Sequence, residues 1–254
     1  DDCPEMPEAD VTRVLEDTLH EPIGKLFKEF NRIPIASASI AQVHRAVLHS
    51  GEEVAVKVQR LNIREVILND LDILRLLARL AEAIIAESGL LTPRSLVEEL
   101  EVALLQELDF SHEAEMLRRF YANAQKSSRT YVVPKVFEAF CGRSVLTMEF
   151  MRGARLHELG VSHDKKAIAA NIVKAAFEQI FVDGLFHADP HPGNSFILPD
   201  NRLALIDFGC VGHISHSMRE TLVVLVVAIG IKDAETAARL LYRVGVTEER
   251  VSLR

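Results

Sequence analysis

The chain has 254 residues, of which 48% are hydrophobic and 26% are charged. This composition is that of a folded protein with one large core or two modest ones, and it argues against a disordered chain. The formal net charge of -8 argues against a nucleic-acid partner, because phosphate-backbone binders need clustered lysine and arginine. The three cysteines are far apart and form no CxxC pair, which favours a reducing compartment, cytoplasmic or organellar.

The front half of the chain predicts helices around a β-hairpin. Apolar residues at helical spacing predict a helix over Val11–Phe30. Alternating residues on either side of a Ser-Gly turn predict a hairpin of Val43–Leu48 and Val54–Val58. Two long helices follow, over Arg64–Glu87 and from Pro93 to about Tyr121, the second with the preceding threonine as its N-cap.

The back half alternates short strands with helices. Its predicted elements, in chain order, are strands at Tyr131–Val136 and Ser144–Phe150, a helix at Lys165–Val182, strands at Phe196–Leu198 and Leu203–Ile206 around an Asp-Asn turn, and two closing helices. The apolar run Leu222–Ile231 is shorter than the roughly 20 residues that span a bilayer, so we expect a core helix there. We divide the chain into a helical segment at 1–30, a front lobe at 31–150 and a back lobe at 151–254.

The segment from His187 to Asn194 carries the strongest chemical signal. Asp189 and Asn194 have the D-x-x-x-x-N spacing of a kinase catalytic loop, and Asp207 begins an intact Asp-Phe-Gly triplet. Phosphoryl transfer needs a carboxylate that orients or deprotonates the acceptor, and oxygen ligands that hold Mg²⁺ against the phosphates. We therefore predict Asp189 as the catalytic carboxylate, Asn194 and Asp207 as magnesium ligands, and ATP with Mg²⁺ as cofactors.

A lysine upstream fits the same chemistry. The stretch Val54–Lys57 is similar to the V-A-I-K strand whose lysine contacts the α and β phosphates of ATP. Such a lysine needs a carboxylate from a neighbouring helix. The helix starting at Pro93 offers four, and their spacing does not choose among them: Glu98, Glu99, Glu101 and Glu107. Farther on, the strand ending at Glu149-Phe-Met151 and the glycine after it are similar to a kinase hinge, whose backbone groups contact adenine.

Two further segments resemble the UbiB family of atypical protein-kinase-like proteins, also called the AarF or ADCK type. Pro34–Ala46 matches the Ala-rich loop that this family has in place of a Gly-rich loop, and Glu107–Ala114 carries its ExD signature. The resemblance runs from about Leu26 to Ile214. It implies a bilobal α+β protein-kinase-like fold with a β-containing N-lobe, inserted helices and a mainly helical C-lobe. The family's KxGQ motif is missing from this sequence: either it precedes residue 1, which we favour, or this member lacks it.

The resemblance also implies roles for individual residues. Glu101 is the implied partner of Lys57, with Glu99 as the runner-up, and Glu107 and Asp109 are implied to approach a metal ion. Alanine lacks glycine's access to positive φ, so the Ala-rich loop should be stiff. Its implied nucleotide-binding residues are Ala36, Ser37, Ala38, Ser39 and Gln42.

The activity that the resemblance implies is that of an ATPase or atypical kinase. It would support ubiquinone or related prenyl-quinone biosynthesis and lipid metabolism. The implied partners are a nucleotide, prenyl-quinone precursors or other lipids, and a membrane surface. The implied compartments are the bacterial cytoplasm, the mitochondrion and the plastid.

Three other functions fit parts of the sequence. His187, Asp189 and His191 alternate and could present three ligands of a metal-dependent hydrolase or oxygenase, but this leaves the strand lysine without a role. Isolated histidines such as His44 are predicted to be surface or capping residues.

A small-molecule phosphotransferase of the aminoglycoside or choline kinase type shares the H-x-D-x-H-x-x-N loop but lacks the Ala-rich loop. A nucleotide-gated lipid-binding scaffold would use the same residues for binding alone.

Overall fold

The structure is a computed structural model that describes residues 3–84, 92–126, 129–160 and 163–246. The chain divides into two compact units. Unit 1 comprises Asp1–Leu117 and Lys135–Phe150, and unit 2 comprises Arg118–Pro134 and Met151–Arg254. The predicted helical segment 1–30 thus groups with unit 1. Residues 118–134, which fall in the predicted front lobe, group with unit 2, because their strand pairs with a strand of that unit.

Unit 1 is built on an antiparallel sheet in the order β1-β3-β4-β6, with β2 paired to β3. The strands are β1 (Phe27–Phe30), β2 (Ala36–Ser37), β3 (Ala41–Leu48), β4 (Glu53–Gln59) and β6 (Val145–Glu149). The predicted hairpin is confirmed as β3–β4, whose turn places Gly51 at a φ of 102°, a region that glycine adopts without strain. One face of the sheet packs its valines against the first helix, α1 (Glu8–Leu19).

The predicted helix Val11–Phe30 is wrong at its end. The helix α1 stops at Leu19 because His20 adopts a left-handed conformation, with φ 59°. A short helix α2 (Ile23–Leu26) follows, and the next four residues form the edge strand β1 against β3. Since strand pairing is a contact between distant parts of the chain, local periodicity did not indicate it.

Two helices follow the hairpin in unit 1, and a third crosses the division between the units. They are α3 (Ile63–Ile84), α4 (Pro93–Glu107) and α5 (Phe110–Ala124). The predicted N-cap is confirmed, because Thr92 and Ser95 exchange side chain–backbone hydrogen bonds in a capping box. The predicted continuous helix to Tyr121 is wrong. It breaks at Leu108-Asp109, where Asp109 Oδ1 accepts a hydrogen bond from Ser111 N at 3.1 Å, as at a helix start.

Unit 2 is mainly helical in its described residues, with two small sheets. Parallel β5 (Tyr131–Val132) and antiparallel β8 (Ser195–Ile197) flank β9 (Leu203–Leu205), and β7 (Leu185–His187) pairs with β10 (Val211–His213). The helices are α6 (Lys165–Phe177), a π-helix (Glu178–Asp183), α7 (His216–Gly230) and α8 (Ala234–Val246). The sheet in unit 1 and the helices of unit 2 confirm the predicted α+β class.

The apolar run in α7 differs from the core helix predicted there. Only Leu225 and Ala228 are buried, whereas Val223, Val224 and Val227 are exposed. Among the described residues, no helix is both long enough and apolar enough to cross a bilayer.

Candidate functional site

The strand lysine in unit 1 forms a buried ion pair. Lys57 lies on β4, and its Nζ donates hydrogen bonds to both carboxylate oxygens of Glu113, at 3.1 and 2.8 Å. The Lys57 and Glu113 side chains are only 13% and 5% exposed. The ring of Phe110 lies 5.1 Å from Nζ and adds a cation–π contact. The ammonium group is therefore held in one place before any ligand binds.

This pairing corrects the prediction that Glu101 holds Lys57. Glu101 instead pairs with Arg75 of α3, and Glu98 pairs with Arg94 at 3.1 Å. Glu113 lies in the first turn of α5. The sequence placed Glu113 within the ExD-containing segment but gave it no role. The prediction assumed one continuous helix from Pro93 and therefore chose the wrong glutamate. The break at Leu108-Asp109 starts a new helix and changes which residues face β4.

The Ala-rich loop is a braced turn. Ala38 N donates to Ala41 O at 2.9 Å. Arg60 Nε donates to Ala38 O at 2.8 Å, and Arg60 Nη2 donates to Ser37 Oγ at 2.9 Å. The described loop has no residue with positive φ, so alanine and serine fit it without strain. Ala36 and Ser39 are exposed on this loop.

Gln42 is not placed with the other residues predicted to bind nucleotide. In the β3–β4 ladder, Gln42 pairs with Val58, whereas Lys57 pairs with Val43. Directly paired residues share a face and successive residues alternate, so Gln42 faces away from Lys57. Its side chain is fully buried and accepts a hydrogen bond from Met6 N. The predicted nucleotide contact from Gln42 thus has no support in this geometry.

His44 lies on the same buried face as Gln42, which corrects its prediction as a surface or capping residue. The side chain is fully buried. Its Nδ1 lies 3.0 Å from Asn31 O, and its ring stacks on Phe30 at 5.1 Å. Burial lowers the pKa of His44, while the Asn31 hydrogen bond and the charge of Glu5 partly oppose this. A neutral imidazole is thus part of the unit 1 core.

In unit 2, two backbone hydrogen bonds join the loop after β7 to the Asp-Phe-Gly segment. Ala188 N donates to Cys210 O at 3.0 Å, and Ile206 N donates to Asn194 O at 3.1 Å. Within the loop, Asn194 Nδ2 donates to Asp189 Oδ2 at 3.3 Å. The structure therefore brings together Asp189, Asn194 and the segment that begins with Asp207.

Buried rings support this loop from inside unit 2. The His187 ring packs edge-on against Phe208 at 5.3 Å, and Phe208 packs against Phe120 at 4.6 Å. His187 Nδ1 accepts a hydrogen bond from Asp189 N at 3.2 Å. Burial lowers the pKa of His187, although a hydrogen bond with the Asp207 backbone and the charges of Asp207 and Asp189 partly oppose it. His187 is thus a support for the loop, a role that the sequence did not assign to it.

The two residues of the ExD signature lie near the helix break in unit 1. Glu107 is the exposed last residue of α4. Asp109 Oδ2 forms an ion pair with Arg143 Nε at 3.3 Å, in addition to its hydrogen bond to Ser111 N. The Asp109 carboxylate therefore already has a structural role, and its binding to a metal ion stays a prediction.

Residues 1–241 match the model of the ABC1 atypical kinase-like domain. The chain belongs to this family. It is 36% identical to the probable protein kinase UbiB of Pseudomonas aeruginosa over 94% of this chain and 46% of that protein. It is 36% identical to the chloroplastic ACTIVITY OF BC1 COMPLEX KINASE 1 of Arabidopsis thaliana over 89% of this chain and 34% of that protein.

A solved structure also resembles this ABC1 domain. Rv3197 from Mycobacterium tuberculosis, in its complex with erythromycin, superposes with a TM-score of 0.76 at 27% identity, over 99% of this chain and 63% of that one. The predicted UbiB-type membership and kinase-like fold are confirmed. The chain spans half or less of the length of the two curated relatives named above.

The implied cofactor of an ABC1 domain is a magnesium–nucleotide complex, and the donor set in unit 2 fits it. Among the residues that the structure describes, no three His, Cys, Asp or Glu side chains are grouped to hold a metal ion. Magnesium is usually bound through one or two carboxylates plus substrate phosphates, without a full protein cage. The Asp207 carboxylate and the Asn194 amide, carried on adjoining loops of unit 2, are such a set. The three-ligand centre of His187, Asp189 and His191, weighed above as an alternative, is not formed.

Proposed function

We propose that this chain is a magnesium–ATP-binding domain with ATPase or atypical kinase activity. The observation that carries the proposal is the attachment of the Asp189–Asn194 loop to the Asp-Phe-Gly segment through the Ile206 N–Asn194 O hydrogen bond, 3.1 Å long. That attachment holds one amide and two carboxylates on adjoining loops. Oxygen donors in this arrangement suit a hard divalent cation.

Each residue has a distinct proposed role. Lys57, held by Glu113, orients the phosphates as a fixed cation. Asn194 donates its NH₂ group to Asp189, which leaves its carbonyl oxygen for Mg²⁺. Asp207 supplies a carboxylate oxygen to the same ion, and Asp189 orients or deprotonates the acceptor. When bound, Mg²⁺ would neutralise charge on the phosphates.

The remaining nucleotide contacts are proposed for the Ala-rich loop and the hinge. Ala36, Ser37, Ala38 and Ser39 form the Ala-rich loop. Ala38 N–H already donates within the turn, so this loop would offer fewer backbone donors than a Gly-rich loop. In the hinge, Glu149 N–H donates to Lys135 O at 2.8 Å. The hinge group that donates a hydrogen bond to adenine would therefore be the backbone N–H of Met151.

The biological setting is part of the same proposal. The relationship to UbiB supports a role in ubiquinone or related prenyl-quinone metabolism, with lipid precursors and a membrane surface as partners. The chloroplastic relative supports a plastid as one of the compartments in which such domains work. We also propose that Glu107 and Asp109, which lie in unit 1, contact a metal ion.

The test is a thermal-shift titration with ATP and ADP, each with and without Mg²⁺. Saturation at a hundred times Kd should stabilise the protein by about 2.7 kcal/mol. Asp207→Asn should lose the Mg²⁺-dependent part of the stabilisation by nucleotide. It should keep the fold, because asparagine retains the Oδ1 acceptor for Gly209 N. Asp200→Asn, an exposed aspartate paired with Arg202, is the matched control. Unchanged Mg–ATP stabilisation in Asp207→Asn would contradict the assigned role.

Two further measurements separate the alternatives. Stabilisation by Fe²⁺ or Zn²⁺ without nucleotide would favour the hydrolase or oxygenase function. Phosphate release in the presence of Mg–ATP distinguishes an ATPase from a scaffold that only binds nucleotide.

A further inference from the structure

A π-helix leads into the candidate catalytic loop of unit 2. It spans Glu178–Asp183 between α6 and β7 and ends at Gly184, whose φ is 66° and whose N–H donates to Gln179 O. Helices of this kind are rare and are frequently found at functional sites. The next strand, β7, ends at His187, directly before the loop that carries Asp189.

One buried guanidinium contacts both ends of the π-helix. Arg129 Nη2 lies 2.7 Å from Asp183 Oδ1, and Arg129 Nη1 lies 3.9 Å from Glu178 Oε2. The Arg129 and Asp183 side chains are 8% and 1% exposed. Residues five apart on an α-helix point about 140° away from each other, at 3.6 residues per turn. The wider π winding is what allows Glu178 and Asp183 to face the same arginine.

The second residue of the π-helix contacts β7. Gln179 is buried, and its Oε1 accepts a hydrogen bond from His187 N at 2.9 Å. His187 Nδ1 accepts from Asp189 N at 3.2 Å. Asp189 Oδ2 accepts from Asn194 Nδ2 at 3.3 Å. A continuous series of hydrogen bonds therefore connects the Gln179 side chain to the carboxylate and amide proposed for catalysis and metal binding.

We propose that Gln179 is the positioning residue of this loop, through its hydrogen bond to the buried His187 backbone. The inference rests on the proposed function, because it assigns Gln179 to the same Mg–ATP site. An apolar side chain of equal length would leave the His187 N–H without an acceptor in a buried environment. The end of β7 would then shift, and Asp189 and Asn194 would lose their common orientation.

The test compares three variants of the full chain. Gln179→Met removes the acceptor with little change in volume, and Gln179→Glu restores an acceptor oxygen at the same distance along the side chain. Asn171→Leu is the control, because it removes a side chain–backbone hydrogen bond from α6 to Asn201 O, away from the loop. The measurements are hydrogen–deuterium exchange of residues 187–194 and ATP affinity with and without Mg²⁺.

We expect Gln179→Met to speed exchange in this segment and to lower the Mg²⁺-dependent ATP affinity by about tenfold or more, as for changes behind metal ligands. Gln179→Glu should recover most of the slow exchange and most of the ATP affinity. Asn171→Leu should change neither the exchange rate nor the affinity. Equal loss in the Met and Glu variants, or unchanged exchange in Gln179→Met, overturns the role of Gln179. A wild-type protein that does not bind Mg–ATP would overturn the proposed function and with it this inference. Wild-type binding with an unaffected Gln179→Met would overturn the inference alone.

Discussion

Units 1 and 2 hold their candidate functional charges in opposite ways. In unit 1, the charge of Lys57 is buried and already paired with Glu113. In unit 2, Asp189 is exposed, and its hydrogen-bond donor is the neutral amide of Asn194. The loop around Asp189 gets its shape from backbone hydrogen bonds and from buried rings beneath it. Unit 1 therefore contains a preorganised cation, whereas the Asp189 carboxylate of unit 2 is exposed to solvent.

This difference predicts where stability and function separate. A buried charge that loses its partner carries a large desolvation cost, so changes to buried pairs should destabilise the fold. Exposed groups contribute little to folding, so changes to them should affect ligand binding alone.

The largest expected effect is on the buried pair behind the π-helix in unit 2. Arg129→Met leaves the Asp183 carboxylate without its nearest cation and should lower the free energy of unfolding by about 3–5 kcal/mol. Urea denaturation measures this change. Lys126→Met is the control, because Lys126 contacts the same carboxylate but is 57% exposed, and it should cost less than about 1 kcal/mol. If the two variants lose similar amounts of unfolding free energy, burial does not determine the energetic cost of removing the cation.

The Lys57–Glu113 pair comes next. Glu113→Leu should cost about 3 kcal/mol, since it removes the buried carboxylate that accepts two hydrogen bonds from Lys57. It should also weaken ATP binding, measured by calorimetry. Glu101→Leu removes one carboxylate paired with Arg75 and leaves the Asp72 pair in place, so it should have a much smaller effect on stability and on ATP binding. The reverse order would reinstate Glu101 as the partner of Lys57.

The third prediction concerns pH and the core of unit 1. Because burial lowers the pKa of His44 in the folded state, the unfolded chain binds more protons at mildly acidic pH. Stability should therefore fall as the pH drops below the usual histidine pKa of about 6.5, by at most about 1.4 kcal/mol per pH unit. Denaturation of wild type and His44→Phe between pH 7.5 and 5 should show a flatter profile for the variant.

The exposed His157→Gln provides the matched comparison for this experiment. Its profile should follow that of the wild type. Parallel profiles for wild type and His44→Phe would show that His44 does not contribute to the pH dependence.

The smallest expected effect on stability is that of Asn194→Ala. Its side chain makes one long, exposed hydrogen bond to Asp189, so the free energy of unfolding should change by less than about 0.5 kcal/mol. Mg²⁺-dependent ATP binding should nevertheless be lost. A destabilisation as large as that of Glu113→Leu would remove the distinction between the two units.

The sequence predicted local features well and distant contacts poorly. The hairpin, the Thr92 cap and the loop from Asp189 to Asn194 depend on residues close together in the chain, where spacing and turn chemistry suffice. The strand β1 and the burial of His44 depend on pairing across the sheet. The Glu113 pair additionally depended on a helix break that one capping aspartate creates.

The π-helix makes the geometry of unit 2 sensitive to a count of residues. A π-helical turn contains roughly one residue more than an α-helical turn. A chain without that extra residue could still continue α6 to β7. Its side chains would, however, rotate relative to Arg129 and His187. A one-residue gap in an alignment at 178–183 would thus mark a relative whose loop is supported by different contacts, even where every loop residue is identical.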